Sequence, residues 1–476
     1  MVMERVEVHF DQALREDVIF RNAWIPNFQG RKVGPAWFLS NPAGGWLTVS
    51  DQEHSDLLSV ALPLALFRKC ERHHMILTEA NSDSFFTAYQ RWTIPHFRHP
   101  THHIIVATLR CNLSCTYCHA AVVPPDSGSD FDLLLPVADA IVDFALNSQA
   151  KVQSFEFQGG ESLLNKKLLL HIIPHIRKAY TAIGKEVYIS IQTNAILLND
   201  AWIKFFNEHE VSLGTSVDGP AHVHDAQRVS VRGKGTHKAV ARKVAKYQLP
   251  VLPTITKNSI SAWSEIVDMQ LAAGSKTVAF QNVYPINSAA ANWSEVGFDA
   301  KAFLELYDDV VEYLRSLWQP DYYPLERRFR LALKKLVTAR DVDYADFGNP
   351  CGMIHSQIVY HTNGDIYTCD EGRDFPEFKL GNVMSDDYDT VIFGQRARQL
   401  KSLSLPNDRE CLTCAYRPVC TTCPVYDRAV TGELQSVHAG TDKCAQTKYI
   451  YDKLFSWLQC EPQLLERLAS YHGCSN

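Results

Sequence analysis

At 476 residues the chain is too long for one comfortable hydrophobic core, and two or three domains are expected. With 46% hydrophobic and 21% charged residues and a formal net charge of -6, its composition is that of an ordinary globular protein, and bulk charge gives no reason to expect nucleic-acid binding. Thirteen cysteines, odd in number and bunched at short spacings, favour metal ligation in a reducing compartment over a disulfide framework.

The opening stretch MVMERVEVHFDQ carries charge where a secretory signal needs an apolar core. The longest apolar run, LLSVALPLALF from Leu57, is short for a membrane span and is interrupted by Pro63. A cytoplasmic protein without membrane contact is expected. Residues 1–100 form a first unit that lacks a cysteine cluster. PAWFLSNPAGGWLTVSDQEHSDLLSVAL reads as a strand, a turn at Gly44 and Gly45, a strand and a helix capped by Ser50 or Asp51, and LALFRKCERHHMIL reads as a further helix. This pattern predicts a small α+β domain in which the lone Cys70 packs as a buried apolar residue.

Over residues 101–300 strand and helix patterns alternate. HHIIVATLR, SFEFQGG, VYISIQTN, VSLGTSVDG, LPVLPTITKN and KTVAFQNVYP read as strands, separated by helical patterns such as FDLLLPVADAIVDFAL and NKKLLLHIIPHIRKAY. Six such units predict an α/β fold with a parallel sheet curved into a partial (β/α)6 barrel. Residues 301–350 read as a helical bridge. Its basic residues Arg327, Arg328, Arg330, Lys334 and Lys335 form either a solvated helix face or a groove for an acidic peptide. Over residues 351–476 cysteine density rises and periodicity falls, as where metal replaces hydrophobic core.

RCNLSCTYCHA follows the first barrel strand and holds Cys111, Cys115 and Cys118 with no fourth cysteine near. In parallel α/β sheets ligands gather at the carboxyl ends of strands. Three thiolates there can hold a cubane iron-sulfur cluster with one iron left open; a three-ligand zinc site or a plain loop are the alternatives. The second strand ends in FQGGESLL, where Gly159 and Gly160 would let backbone approach a ligand and Glu161 would set a carboxylate beside an ammonium group.

Together these stretches resemble the radical S-adenosylmethionine superfamily, whose cysteine spacing, with an aromatic before the last, stands here as Cys111, Cys115, Tyr117 and Cys118. The resemblance implies a 4Fe-4S cluster on the three cysteines, with S-adenosylmethionine bound at its open iron and cleaved to a 5'-deoxyadenosyl radical. It also implies contact of Gln158, Gly159, Gly160 and Glu161 with the methionine amino group. Ser190, Gln192, Asn194, Ser216 and Asp218, on later strands, are similar in position to cofactor- or substrate-facing residues of the family, or are turn formers.

CGMIHSQIVYHTNGDIYTC, CLTCAYRPVCTTC and DKC resemble the SPASM domain of peptide- and protein-modifying radical enzymes, with one residue fewer between Cys420 and Cys423 than the family pattern has. That resemblance implies two auxiliary 4Fe-4S clusters, one on Cys411, Cys414, Cys420 and Cys444, the other on Cys351, Cys369 and Cys423 with its fourth position open or held by another ligand. It also implies a proton-accepting role for Asp370, as proposed in sulfatase-maturing relatives, against a plain turn residue. Cys460 and Cys474 fall outside the motif and read as free thiols.

The first unit is similar to precursor-recognition domains of peptide maturases, and the whole pattern to maturases of the His-Xaa-Ser peptide systems. The implied activity is hydrogen abstraction from a side chain of a ribosomally made peptide or protein, giving a cross-link. The alternatives are oxidation of Ser or Cys to formylglycine and a non-catalytic iron-sulfur electron carrier. The implied partners are that peptide or protein and a low-potential electron donor such as flavodoxin or ferredoxin.

Overall fold

The computed structural model describes residues 18–20, 24–59, 61–93, 97–338, 341–342, 345–405, 408–435, 437–461 and 463–473. The opening stretch and Cys474 lie outside the described residues. The chain divides into two compact units: Met1–Trp92 with Thr413–Pro418, and Thr93–Leu412 with Val419–Asn476.

The described elements of the first unit are β1 (Val18–Phe20), β2 (Ile25–Pro26), β3 (Gln29–Val33), β4 (Ala36–Ser40), β5 (Trp46–Val49), α1 (Asp51–Leu57), β6 (Ala61–Pro63), α2 (Leu64–Arg72), β7 (Ile76–Leu77) and α3 (Ser82–Thr93). The expected hairpin is β4–β5, closed by Asn41, whose side-chain oxygen accepts from the amides of Ala43 and Gly45 at 2.9 and 3.2 Å. β3 adds a third antiparallel strand that the sequence conceals, because QGRKV leaves most of its side chains at the surface. Ser50 caps α1 in a reciprocal box with Glu53. The second helix stops at Arg72 rather than running to Leu77, since His74 takes a φ of +56° and turns the chain into β7. Cys70 is fully buried beside Leu66 and Ile76, and burial pushes its thiol up to about 12. Within the same unit the Tyr416 ring lies 5.4 Å from that of Phe38, and the Ser40 hydroxyl donates to the Ala415 carbonyl.

The second unit begins with β8 (His102–Thr108), α4 (Leu135–Leu146), β9 (Val152–Gly159), α5 (Lys166–Ala182), β10 (Glu186–Thr193), α6 (Asp200–Glu208) and β11 (Val211–Thr215). It continues with α7 (Ala221–Gln227), α8 (His237–Tyr247), β12 (Thr254–Ile255), α9 (Trp263–Ala272), β13 (Thr277–Val278) and β14 (Gln281–Asn282). β8, β9, β10 and β11 pair in parallel in that order, Thr215 then bridges Val251, and β12 pairs β14, all in parallel. This is the partial barrel the alternation predicts. Its last strands are short because Pro250 and Pro253 offer no amide to a ladder. Phe155, Phe157, Ile189 and Ile191 pack beneath Ile141, Leu168 and Ile172 of the helices, each buried side chain adding about 1.5–3 kcal/mol. Ser154, Glu156, Gln158 and Gln192 alternate with them and face a cavity instead.

The remainder comprises α10 (Ser288–Ala291), α11 (Trp293–Val296), α12 (Ala300–Ser316), β15 (Leu325–Glu326), α13 (Arg327–Thr338), β16 (Gln357–Tyr360), β17 (Asp365–Tyr367) and β18 (Lys379–Asn382), then α14 (Tyr388–Phe393), α15 (Gln395–Ser402), α16 (Arg409–Leu412), α17 (Pro424–Thr431), α18 (Asp442–Cys460) and α19 (Leu464–Tyr471). β16 lies parallel to β8, from Gln357 opposite His102 to Tyr360 opposite Ile105, and β17 and β18 follow antiparallel. The cysteine-rich segment therefore extends the barrel's own sheet. No helix among the described residues is long and apolar enough to cross a membrane.

The basic stretch of α13 divides: Lys334 is exposed, whereas Lys335 and Arg328 turn inward. Lys335 is 2% exposed, pairs with Asp341 at 3.2 Å and donates to the Val419 carbonyl at 3.1 Å. Arg328 turns inward over the rings of Phe303, Tyr307 and Phe347. Removing Lys335 leaves Asp341 buried and unpaired, so Lys335→Ala is expected to cost about 3–5 kcal/mol. A lowered melting temperature of the cluster-loaded protein is the check.

Candidate active site

The three-cysteine loop leaves β8 through Arg110, whose guanidinium grips Asp132 with two hydrogen bonds of 2.8 and 2.7 Å. Its backbone is then pinned from two other elements. The amides of Ser114 and Thr116 donate to the carbonyls of Val229 and Gln227 at 2.8 and 3.0 Å, and the Cys118 carbonyl accepts from the Ser288 amide at 3.1 Å. The loop is thus held by the C-terminal end of α7 and by the first residue of α10, so its sulfurs are placed by the fold and not by their own short segment.

Gly159 and Gly160 line the cavity described below and also permit a close approach of two backbone segments. Gly159 has a φ of +132°, and a Cβ there would stand 2.2 Å from the Thr108 carbonyl oxygen; a Cβ on Gly160 would stand 2.3 Å from that of Arg110. Both are glycine because the end of β9 is pressed against the chain entering the cysteine loop. Gly160→Ala must push that backbone aside. The expected result is at least about a tenfold loss of cofactor affinity with reduced iron at the loop, read by equilibrium binding and iron analysis.

A cavity of about 570 Å³ opens between these elements, within the usual range for small-molecule sites. Cys111, Cys115 and Cys118 line it with Tyr117. So do Gln158, Gly159 and Gly160, and further round Gln192, Asn194, Ser216 and Asp370. Glu161, Ser190 and Asp218 are not among the lining residues, and each is held by partners within the fold. The Glu161 carboxylate is fully buried and accepts from the Thr193 hydroxyl and the Asn194 amide, both at 2.8 Å, so it ties β9 to β10. Ser190 donates to Glu156 at 3.3 Å. Asp218, also fully buried, accepts from the Tyr117 hydroxyl at 2.7 Å and from Gln227 and Arg228 at 2.8 and 2.9 Å. It anchors the cysteine loop through Tyr117, over whose ring Arg228 sits at 5.2 Å.

Asp370 follows the β16–β17 hairpin. Arg373 donates to its Oδ1 at 2.6 Å, and His119 Nε2 lies 3.2 Å from its Oδ2. Burial would raise its carboxyl, but the Arg373 and His119 charges prevail and hold it well below the usual carboxylate range. Its neighbour Glu371, also lining the cavity, moves the other way: burial, with Asp346 and Asp370 nearby, pushes it up to about 8. The sequence carried a faint signal for His119, directly after Cys118, and for Arg373, three residues after Asp370; it carried none for Arg228.

Burial pushes the Cys111 and Cys115 thiols up to about 12 and raises Cys118, so thiolates there need a cation to form. Cys351 and Cys369 are buried in the barrel's own core with Cys423 against it; burial raises all three, and Cys369 also feels the charges of Cys351 and Cys423. Burial and Asp408 raise Cys411, with further pushes from Cys420 and Cys444. Cys414 belongs to the segment grouped with the first unit, where its sulfur accepts from the Tyr416 amide at 3.4 Å. Cys460 is exposed.

Residues 105–260 match the family model described as the radical SAM superfamily, and residues 351–424 match that of the iron-sulfur cluster-binding domain called SPASM. The chain is 25% identical over 329 residues to a cysteine-type anaerobic sulfatase-maturating enzyme of Clostridium novyi, covering 66% of this chain and 84% of that protein. It is 26% identical over 336 residues to the serine-type enzyme of Klebsiella aerogenes, covering 66% and 77%. Among solved structures, anSMEcpe with bound AdoMet superposes with a TM-score of 0.66 at 20% identity, covering 79% of this chain and 98% of that one. SuiB of Streptococcus suis bound to precursor peptide SuiA superposes with a TM-score of 0.53 at 15% identity, covering 88% and 98%.

Proposed function

We propose, from the premise that this chain is a radical S-adenosylmethionine enzyme with a C-terminal SPASM domain, that it oxidises a side chain of a peptide or protein substrate at the cavity bounded by the cysteine loop and Asp370. Cys111, Cys115 and Cys118 would hold the cluster that binds the cofactor; Cys351, Cys369 and Cys423, and Cys411, Cys414, Cys420 and Cys444, would hold the two auxiliary clusters. When bound, these groups supply a 5'-deoxyadenosyl radical that takes a hydrogen atom from carbon, and an acceptor for the electron that remains. Gln158, Gln192, Asn194 and Ser216 line the wall available to the cofactor.

The observation that carries the reading is Asp370. Arg373 and His119 fix its orientation at the cavity, which places its Oδ2 to accept the proton of a substrate hydroxyl or thiol while hydrogen leaves the adjacent carbon. The side chain thereby loses two hydrogens and becomes an aldehyde or thioaldehyde, the latter hydrolysing to the former. This is oxidation of the formylglycine type, and two relatives are named as cysteine-type and serine-type sulfatase-maturating enzymes. A low-potential donor such as flavodoxin or ferredoxin completes the system.

A second reading, a cross-link within a ribosomally made peptide, draws on coverage. SuiB, solved with its precursor peptide, is matched over 88% of this chain against 79% for anSMEcpe, so the likeness extends over more of the chain. Incubating the reconstituted protein with Ser- and Cys-containing peptides and fragmenting the products separates the two. Loss of two hydrogens confined to one Ser or Cys, with an aldehyde trapped by hydrazide, supports oxidation. The same loss shared between two residues supports the cross-link. Formation of 5'-deoxyadenosine with no change in any peptide would sink both.

A further inference from the structure

A cluster of ligand-type side chains lies on the helical side of the barrel, apart from the cavity and the cysteines. Asp139 on α4 and His171 and His175 on α5 bring Oδ1, Nε2 and Nδ1 within 4.8 Å of one another. Asp139 Oδ1 is the common vertex, 2.7 Å from His171 Nε2 and 2.8 Å from His175 Nδ1. Among the described residues this is the one group of three or more His, Cys, Asp or Glu side chains gathered so tightly.

The local sequence explains the gathering. His171 and His175 stand four apart and therefore share one face of α5. α4 and α5 are locked together by Ile141, Val142, Leu168 and Ile172, so the backbone positions of all three residues are fixed before any ion arrives. Their side chains remain 33–40% exposed, which leaves a path for an ion and room for water at its remaining position. Two imidazoles and one carboxylate oxygen make a borderline donor set that suits zinc and its neighbours in the first transition row, and suits neither magnesium nor calcium.

We propose that Asp139, His171 and His175 form a three-ligand site for a divalent zinc-class ion that clamps α4 to α5, separate from the iron-sulfur clusters. At metal–ligand distances of about 2.0–2.1 Å the three atoms need to stand about 3.3 Å apart, so side-chain rotation must open each present contact by about half an ångström. Each imidazole binds in its neutral form through the nitrogen that now faces Asp139, with its proton on the other nitrogen.

The test uses the full chain with its clusters reconstituted, dialysed without oxygen against zinc buffered near micromolar and analysed for zinc and iron together. One zinc per chain is expected with iron unchanged, and X-ray absorption should show only nitrogen and oxygen neighbours around it. Asp139→Asn and the pair His171→Ala with His175→Ala should each lower zinc affinity by at least about tenfold without loss of iron. If the double variant fails to fold, Asp139→Asn, nearly isosteric, decides. Sulfur neighbours at the zinc, equal zinc in wild type and variants, or no zinc in the wild type would overturn the site and leave a hydrogen-bonded surface cluster.

Discussion

Replacing Cys111, Cys115 and Cys118 together by alanine is expected to remove about one third of the bound iron, one cubane of three, and to bring cleavage of S-adenosylmethionine to background. The backbone of the loop should survive the change. Its fixed points are the Arg110–Asp132 pair, the amides of Ser114 and Thr116 on the Val229 and Gln227 carbonyls, and the Cys118 carbonyl on Ser288, none of which uses a sulfur. The loss therefore reports the missing thiolates and not a collapsed loop, which circular dichroism and an unchanged melting temperature would confirm. Full iron content in the variant, or 5'-deoxyadenosine at the wild-type rate under dithionite, would refute the assignment. Exposed Cys460 serves as the control, and its replacement by alanine should change neither measurement.

Asp370→Asn is expected to separate radical formation from product formation. Asparagine keeps the size and can still hydrogen-bond His119, but it cannot take a proton and it leaves Arg373, whose side chain is 2% exposed, without its counter-charge. Product formation should fall by about 10²- to 10⁴-fold, the usual contribution of a positioned base. Iron content should be unchanged because Cys369 is retained, and 5'-deoxyadenosine should still appear, now without matching oxidised peptide. Undiminished product formation would reduce Asp370 to the structural partner of Arg373. Arg373→Lys discriminates further: a purely electrostatic partner should be partly rescued by lysine, which keeps the charge.

Much of the barrel was legible because period-2 apolar runs and helical runs alternate cleanly from residue 102, and the cysteine loop was legible because its chemistry is carried by spacing. What escaped had identifiable physical causes. The pairing of β16 with β8 joins residues about 250 positions apart through a four-residue strand, and no local pattern encodes such a partner. Glu161 and Asp218, expected beside a ligand, satisfy donors of neighbouring elements, as Glu161 does with the Asn194 amide, and no local pattern reveals those partners. Position along a strand announces nearness to the site; hydrogen bonding decides which way the side chain turns. The basic residues of α13 were legible only in part. Composition says charge, but only packing reveals that Lys335 and Arg328 have partners inside the fold.

The parallel seating of β16 on β8 bears on how the protein can be taken apart. Cutting the chain before Cys351 would strip β8 of its hydrogen-bonded neighbour along His102–Ile105, leaving an apolar strand edge open to pairing with other molecules. A truncated radical half should therefore aggregate instead of surviving as a minimal enzyme. For the same reason chimaeras that graft a foreign C-terminal module should succeed only when the junction retains Gln357–Tyr360 and its partner strand from the same parent.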